Sequence, residues 1–205
     1  GWESLGKELE AACSEADHAA LARSTQYAHY TPEYIVTAIW DMLVKRGFHG
    51  GSVLEPGCGV GQFIALRPER LEGRIAFTGI EMDSIAARIA RKLFPKQWIR
   101  QEDFTKATLA TTYDLAIGNP PFSNRQVNAA EHRELRGFSL HDWFIARAVS
   151  TLRPGGFAAF VTSRHTLDKT DPKARQHIAD EADLLGAGRL PAGAMGADAG
   201  TAVVL

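Results

Sequence analysis

Net charge is almost absent from this 205-residue chain: 23 Lys and Arg stand against 24 Asp and Glu, leaving −1. The electrostatic signature of a nucleic-acid binder is therefore missing, and any DNA or RNA partner must be held by a local patch or by another part of a larger protein. Cysteine is equally scarce. Cys13 and Cys58 are too few and too far apart for a disulfide framework or a zinc site. No metal is expected, and a reducing, cytoplasmic setting is the default. No apolar run reaches membrane-spanning length and no signal peptide precedes the first helix, so a membrane partner is not expected either. Internal repeats and low-complexity tracts are lacking. What remains is an ordinary globular composition, 45% hydrophobic and 23% charged. The length allows one domain with a full core, or a domain with an appendage.

The chain opens on Trp2 to Arg23, where Leu5, Leu9, Ala12, Ala16 and Ala20 recur near helical spacing. Residues 1–27 read as a helical arm packed on the main body. In the segment that follows, Thr31 suits an N-cap, Pro32 the first helical position and Glu33 the positive helix end. Ile35, Ile39 and Leu43 then form an apolar stripe, with Gly47 as terminator.

Ser52-Val53-Leu54-Glu55-Pro56-Gly57-Cys58-Gly59-Val60-Gly61-Gln62-Phe63 is a short strand running through glycines into a helix. Glycines at such a turn let backbone approach a ligand held at the strand ends. The spacing is not that of the dinucleotide fingerprint. Glu55, an acid just ahead of the glycines, would repel a pyrophosphate and instead fits a cationic ligand such as the amino group of a methionine moiety. Ile75–Glu81 is a second strand ending in an acid, 26 residues beyond Glu55, near the position where doubly wound folds place a carboxylate on ribose hydroxyls. Met82 follows it, and Asp83 or Ser84 caps the next helix, whose face is Ile85, Ile89 and Leu93. A third strand, Trp98 to Phe104, ends in Asp103-Phe104: Asp103 is suited to a purine amino group and Phe104 to covering the ring. A loop carboxylate serving only as a cap is the plainer reading of Glu81 or Asp103 alone. Three successive strands ending in acids favour a ligand.

Asp114 to Ile117 is a short buried strand ending in Gly118-Asn119-Pro120-Pro121-Phe122. The prolines stop the ladder because they bring no backbone donor, and they leave the Asn side-chain oxygen and proline carbonyls as acceptors beside an aromatic ring. Such a cluster can take both hydrogens of an exocyclic amino group while Phe122 stacks on the base. Its plainer reading is a Pro-rich turn. Ser123 to Gly137 is polar and mixed in charge, either a mobile loop over the site or a solvated helix, and His132 and His141 read as surface histidines. A helix opens at Ser139, Pro154-Gly155-Gly156 turns into a strand over Phe157–Thr162, Asp171-Pro172 begins another helix, and Leu184–Leu190 and Thr201–Leu205 are strands.

Strand and helix alternate throughout, giving an α/β sheet with helices on both faces. On Asn119-Pro120-Pro121-Phe122 and the stretch Glu55 to Phe63, in that order and separation, residues 28–205 resemble class I S-adenosylmethionine-dependent methyltransferases, specifically the amino-methyltransferases of the N6-adenine DNA type. Tyr30-Thr31-Pro32 matches the family's segment near the cofactor methionine carboxylate. The stretches Val161 to Arg164, up to Leu190-Pro191, and Gly200 to Val204 resemble the methyltransferase modules of large phage- and plasmid-borne helicase–methyltransferase proteins. The resemblance implies a Rossmann-like sheet of seven strands, mostly parallel, with the last strand antiparallel between the fifth and sixth. It further implies a catalytic domain over 28–205 truncated at its C-terminal end, with helicase domains in the same parent protein and DNA held through a missing target-recognition region. S-adenosylmethionine is the implied cofactor, bound by Tyr30, Thr31, Glu55, Pro56, Gly57, Cys58, Gly59, Gly61, Glu81, Met82, Asp103 and Phe104. Asn119, Pro120, Pro121 and Phe122 are the implied catalytic set. Asn-Pro-Pro-aromatic also serves enzymes acting on RNA bases and on a protein glutamine amide. A non-catalytic cofactor-binding module is the remaining alternative.

Overall fold

The structure, a computed structural model, describes residues 2–17, 31–109, 112–191, 193–195 and 201–204. Among them seven strands form one sheet: β1 (Gly51–Pro56), β2 (Ile75–Glu81), β3 (Trp98–Gln101), β4 (Tyr113–Gly118), β5 (Leu152–Ser163), β6 (Ala187–Arg189) and β7 (Thr201–Val204). Their spatial order is β3-β2-β1-β4-β5-β7-β6. The first five run parallel, and β7 lies antiparallel between β5 and β6. The expected sheet, including the inserted antiparallel strand, is therefore the observed one. The sheet is accompanied by the helices α1 (Trp2–Ala12), α2 (Glu33–Lys45), α3 (Gln62–Ala65), α4 (Ser84–Leu93), α5 (Leu140–Val149), α6 (His165–Asp168) and α7 (Lys173–Glu181).

The central strands are apolar on both faces because helices cover both. Val53, Leu115, Ile117, Ala159 and Val161 point to a core shared with Ile35, Ile39, Trp40 and Leu43 of α2 and Ala87 and Ala90 of α4. Their strand neighbours Leu54, Ala116 and Phe160 point to a second core built on α5. That helix is buried along nearly its whole length, Trp143 completely. Trp40 is also fully buried, and its indole N–H donates to Phe63 O at 3.1 Å, which ties α2 to the first turn after the glycine loop.

Several boundaries differ from expectation. The N-terminal helix is broken at Cys13-Ser14 and helix resumes over residues 15–17, the Ser14 hydroxyl accepting from Asp17 N at 3.2 Å. Asp17 pairs with Arg88 of α4 at 3.3 Å, joining this segment to the body. The rest of the expected arm, residues 18–27, lies outside the described residues. Pro32, not Thr31, caps α2: Ile35 N and Val36 N donate to Pro32 O, while Thr31 is buried. The end at Gly47 is as expected, with Gly47 N and Phe48 N donating back to Val44 O and Leu43 O. Strand β3 stops at Gln101 because Asp103 caps a tight turn over Phe104–Lys106. Strand β5 begins at Leu152, running through Pro154-Gly155-Gly156 with a register shift opposite Tyr113/Leu115. Strand β6 is shorter than Leu184–Leu190, and Leu184 and Leu185 are exposed. The segment after Phe122 is anchored rather than free. Val127, Leu135 and Phe138 are buried, and Val127 N donates to Phe138 O at 3.2 Å.

Candidate active site

Strands β1 and β4 are neighbours whose onward connections lead to opposite sides of the sheet, β2 lying beyond β1 and β5 beyond β4. Their carboxyl ends flank the crevice in which such folds hold ligands. Both sequence motifs meet there. Gly118 closes β4 with φ 153°, and a Cβ on it would lie 3.5 Å from Glu55 Cγ and 3.6 Å from Pro56 O. The ends of β1 and β4 are thus within van der Waals reach of each other at this point. Across the same gap, a Cβ on Gly57 would lie 3.8 Å from Pro121 Cδ. Gly61 caps α3 at φ 89°, and a Cβ there would sit 2.5 Å from the Phe94 ring. A larger residue would break the turn that carries the loop into α3.

Two carboxylates face this loop. Glu81 is half-buried at the end of β2, its Oε2 accepting from Gly59 N at 2.8 Å and its Oε1 from Asp83 N at 2.7 Å. Burial raises its pKa, opposed by these amide hydrogen bonds. Glu55 is 2% exposed. Burial first, and then the charge of Glu81, push its pKa well above the ordinary 4.5. Among the described residues Glu55 Oε2 has no hydrogen-bond partner. A buried carboxylate oxygen left in this state is costly unless a cation meets it, so the residues present fit a ligand carrying an ammonium or sulfonium charge.

The remaining expected site residues fall around this centre. Pro56 and Cys58 are buried, and Cys58 N donates to Ile80 O at 3.2 Å. Burial is the main reason the Cys58 thiol is held far above its usual range, which suits packing rather than nucleophilic chemistry. Met82 is exposed beyond β2. Asp103 accepts from Thr105 N at 2.9 Å through one carboxylate oxygen, the cap reading of that residue. Phe104 is 4% exposed, and its ring lies 4.8 Å from Phe144 and 5.9 Å from Trp143. α5 brings these two aromatic rings to the end of β3. Thr31 is buried ahead of α2. Tyr30 lies outside the described residues. At the acceptor end Asn119 is half-buried, Pro120 buried and Pro121 exposed, and Phe122 packs against the core beside it.

One group expected at the surface is buried. His141 is 2% exposed and Asp142 1%. His141 Nδ1 lies 3.2 Å from Ser123 O, next to Phe122, and Nε2 lies 3.3 Å from Ser139 Oγ. Asp142 accepts from Ser139 Oγ at 2.7 Å and from Thr166 Oγ1 at 3.1 Å. The Ser139-x-x-Asp142 spacing, that of a helix-start box, was the signal available in sequence. Burial of the polar pair follows from tertiary packing.

The raised pKa of Glu55 makes a stability prediction. Between pH 4.5 and its folded value the native state binds more protons than the unfolded chain, so the cofactor-free domain loses stability as pH rises through that window. Glu55→Gln removes the ionisation. In thermal melts from acid to neutral pH, the variant should gain on the wild type as pH rises, and S-adenosylmethionine should narrow the gap. A pH-independent gap would count against the assignment.

The sequence model of the methyltransferase small domain matches residues 27–171. The chain is 27% identical over 181 residues to Defense against restriction protein B of Escherichia phage P1, covering 86% of this chain and 8% of that protein. It is 35% identical over 104 residues to the type II methyltransferase M.CvrRI of Paramecium bursaria Chlorella virus XZ-6E, covering 50% of this chain and 26% of that one. The fold is similar to a modification subunit attributed to a type I restriction enzyme of Vibrio vulnificus YJ016, with a TM-score of 0.71 and 19% identity over 99% of this chain and 47% of the other. In each case the chain spans less than half of the relative's length. The chain belongs to the methyltransferase small domain family, and its cofactor is S-adenosylmethionine.

Proposed function

We propose that this domain transfers the methyl group of S-adenosylmethionine to the exocyclic N6 amino group of adenine in DNA. The observation that carries the reading is the meeting of the two motifs: Gly118 brings the end of β4 against Glu55, so Asn119-Pro120-Pro121-Phe122 begins where a cation-binding carboxylate ends. The relatives support it, being a type II methyltransferase and a modification subunit. When bound, the cofactor supplies an electrophilic methyl on sulfonium. An adenine amino nitrogen is a poor nucleophile because its lone pair is delocalised into the ring. Asn119 and the Pro120 carbonyl accept its two hydrogens, favour a more tetrahedral nitrogen and aim the lone pair. With the cofactor held by Glu55 and Glu81, direct transfer would form the nitrogen–carbon bond as the carbon–sulfur bond breaks, leaving the electron pair on sulfur and releasing one amino proton to water. Positioning and hydrogen bonding suffice for this. Glu55 meets the cofactor's charge and Glu81 its ribose, while Phe122 stacks on a base rotated out of the duplex. Residues 1–27 act as an arm outside the catalytic unit, and further domains of a larger protein supply recognition.

Mass spectrometry of nucleosides from DNA incubated with the protein and cofactor is expected to reveal N6-methyladenine. Label found only in RNA or in protein glutamine would replace this reading. Because the net charge is −1 and DNA affinity comes largely from neutralising phosphates, this chain alone is expected to methylate weakly and with little sequence preference. Tight, sequence-selective methylation of defined duplexes by residues 1–205 would refute that.

A further inference from the structure

Beyond Phe122 the chain forms one wall of a cleft of about 310 Å³ lined by Asn124, Gln126, Ser139, His141, His165 and Lys169. The volume is that of a small ligand site, yet no hydrophobic side chain lines it. Three segments converge there: the loop after β4, the start of α5, and the turn after β5. Beneath them lies the buried network of His141 and Asp142. Asp142 holds the hydroxyls of Ser139 and Thr166, Thr166 is 2.8 Å from Thr162, and Lys169 Nζ stands 3.9 Å from Asp142 Oδ2. The Lys169 side chain remains 40% exposed, so its ammonium is anchored on one side and open on the other.

A buried carboxylate–imidazole network is expensive and would serve the hydrophobic core poorly. Here it fixes the floor of a polar cleft that begins two residues past Phe122. The cleft offers the Lys169 ammonium, the Asn124 and Gln126 amides and the exposed His165 imidazole, a set of donors suited to anionic oxygen. We infer that this cleft binds a phosphodiester group of the nucleic-acid strand beside the methylated base, with Lys169 as its charged contact. The inference rests on the reading of the substrate as nucleic acid. It adds a backbone anchor that a peptide substrate would have no use for.

The test is binding of a fluorescein-labelled single-stranded oligonucleotide that contains no adenine, followed by anisotropy with S-adenosylhomocysteine present and across a salt series. Wild type is expected to bind it. Lys169→Met is expected to weaken binding several-fold and to lower the slope of log affinity against log salt by about 0.7, the value for one phosphate contact on a single strand. Lys169→Arg should restore both. Lys96→Met removes the same charge from the loop before β3, an edge strand separated from β4 by β2 and β1, and should change neither. The inference is overturned if wild type does not bind, if Lys169→Met matches wild type, or if Lys96→Met matches Lys169→Met. Adenine methylation is scored separately by product analysis. Binding without methylation would therefore sink the enzymatic reading alone, and methylation without this binding would sink the cleft alone.

Discussion

Asn119→Ala is expected to cut methyl transfer by about 10²- to 10³-fold, the usual cost of removing one preorganised polar group from a reacting centre, while leaving S-adenosylmethionine affinity unchanged. The separation follows from where the residue sits. Asn119 follows the end of β4, whereas the proposed mechanism gives the cofactor's charge to Glu55 on β1 and its ribose to Glu81 at the end of β2. Removing the amide takes away an acceptor for the amino hydrogens, so the nitrogen keeps its lone pair in the ring. Phe122→Ala is the companion experiment. It removes a stacking surface worth about 1–3 kcal/mol per base, so it should raise the KM for DNA and leave measurable turnover. Calorimetry for the cofactor and single-turnover kinetics on a duplex distinguish the two. If Asn119→Ala lost cofactor affinity in step with activity, the residue would belong to the cofactor site and the proposed mechanism would fall.

What could be read from the chain in advance follows from which constraints are local. The glycine loop was legible because a strand must turn into a helix at Gly61 with positive φ and no room for a side chain. The strands flanking the crevice were legible because the carboxyl halves of β1, β4 and β5 are buried on both faces, which makes short apolar stretches such as Val53-Leu54, Leu115-Ala116-Ile117 and Ala159-Phe160-Val161. Asp83 capping α4, with one oxygen accepting from Ile85 N and Ala86 N, is likewise a local affair. The packing of Phe104 was not legible because an aromatic at a strand end can face either ligand or core, and its contacts with Trp143 and Phe144 come from the distant helix α5. His141 and Asp142 were missed for the same reason. Two polar residues at a helix start have the pattern of a solvated face, and they are buried only because Ser123 and Thr166 reach them from distant parts of the chain.

Glu81 carries the other large effect, and its two substitutions separate charge from geometry. Each of its oxygens already accepts a backbone N–H, Oε2 from Gly59 and Oε1 from Asp83, and each keeps a lone pair for a ribose hydroxyl. The side chain thus ties the glycine loop to the end of β2, and the proposed mechanism adds a ribose contact to that role. Glu81→Ala removes both functions and should weaken S-adenosylmethionine binding by about 1–3 kcal/mol, or roughly 5- to 150-fold in Kd. Glu81→Gln preserves size but turns one acceptor into an NH₂ donor, which must then face Gly59 N–H or Asp83 N–H, donor against donor. It should therefore lose nearly as much as alanine, unlike a site where only bulk matters. Loop disruption alone would produce the same losses, so the ribose contact needs its own measurement. A cofactor analogue lacking the 2′-hydroxyl should bind wild type more weakly than S-adenosylmethionine, and that difference should vanish in Glu81→Ala, since the two changes remove one shared interaction. If the hydroxyl were worth the same in both proteins, Glu81 would be holding the loop and not the ribose. Wild-type affinity in Glu81→Gln would overturn both roles.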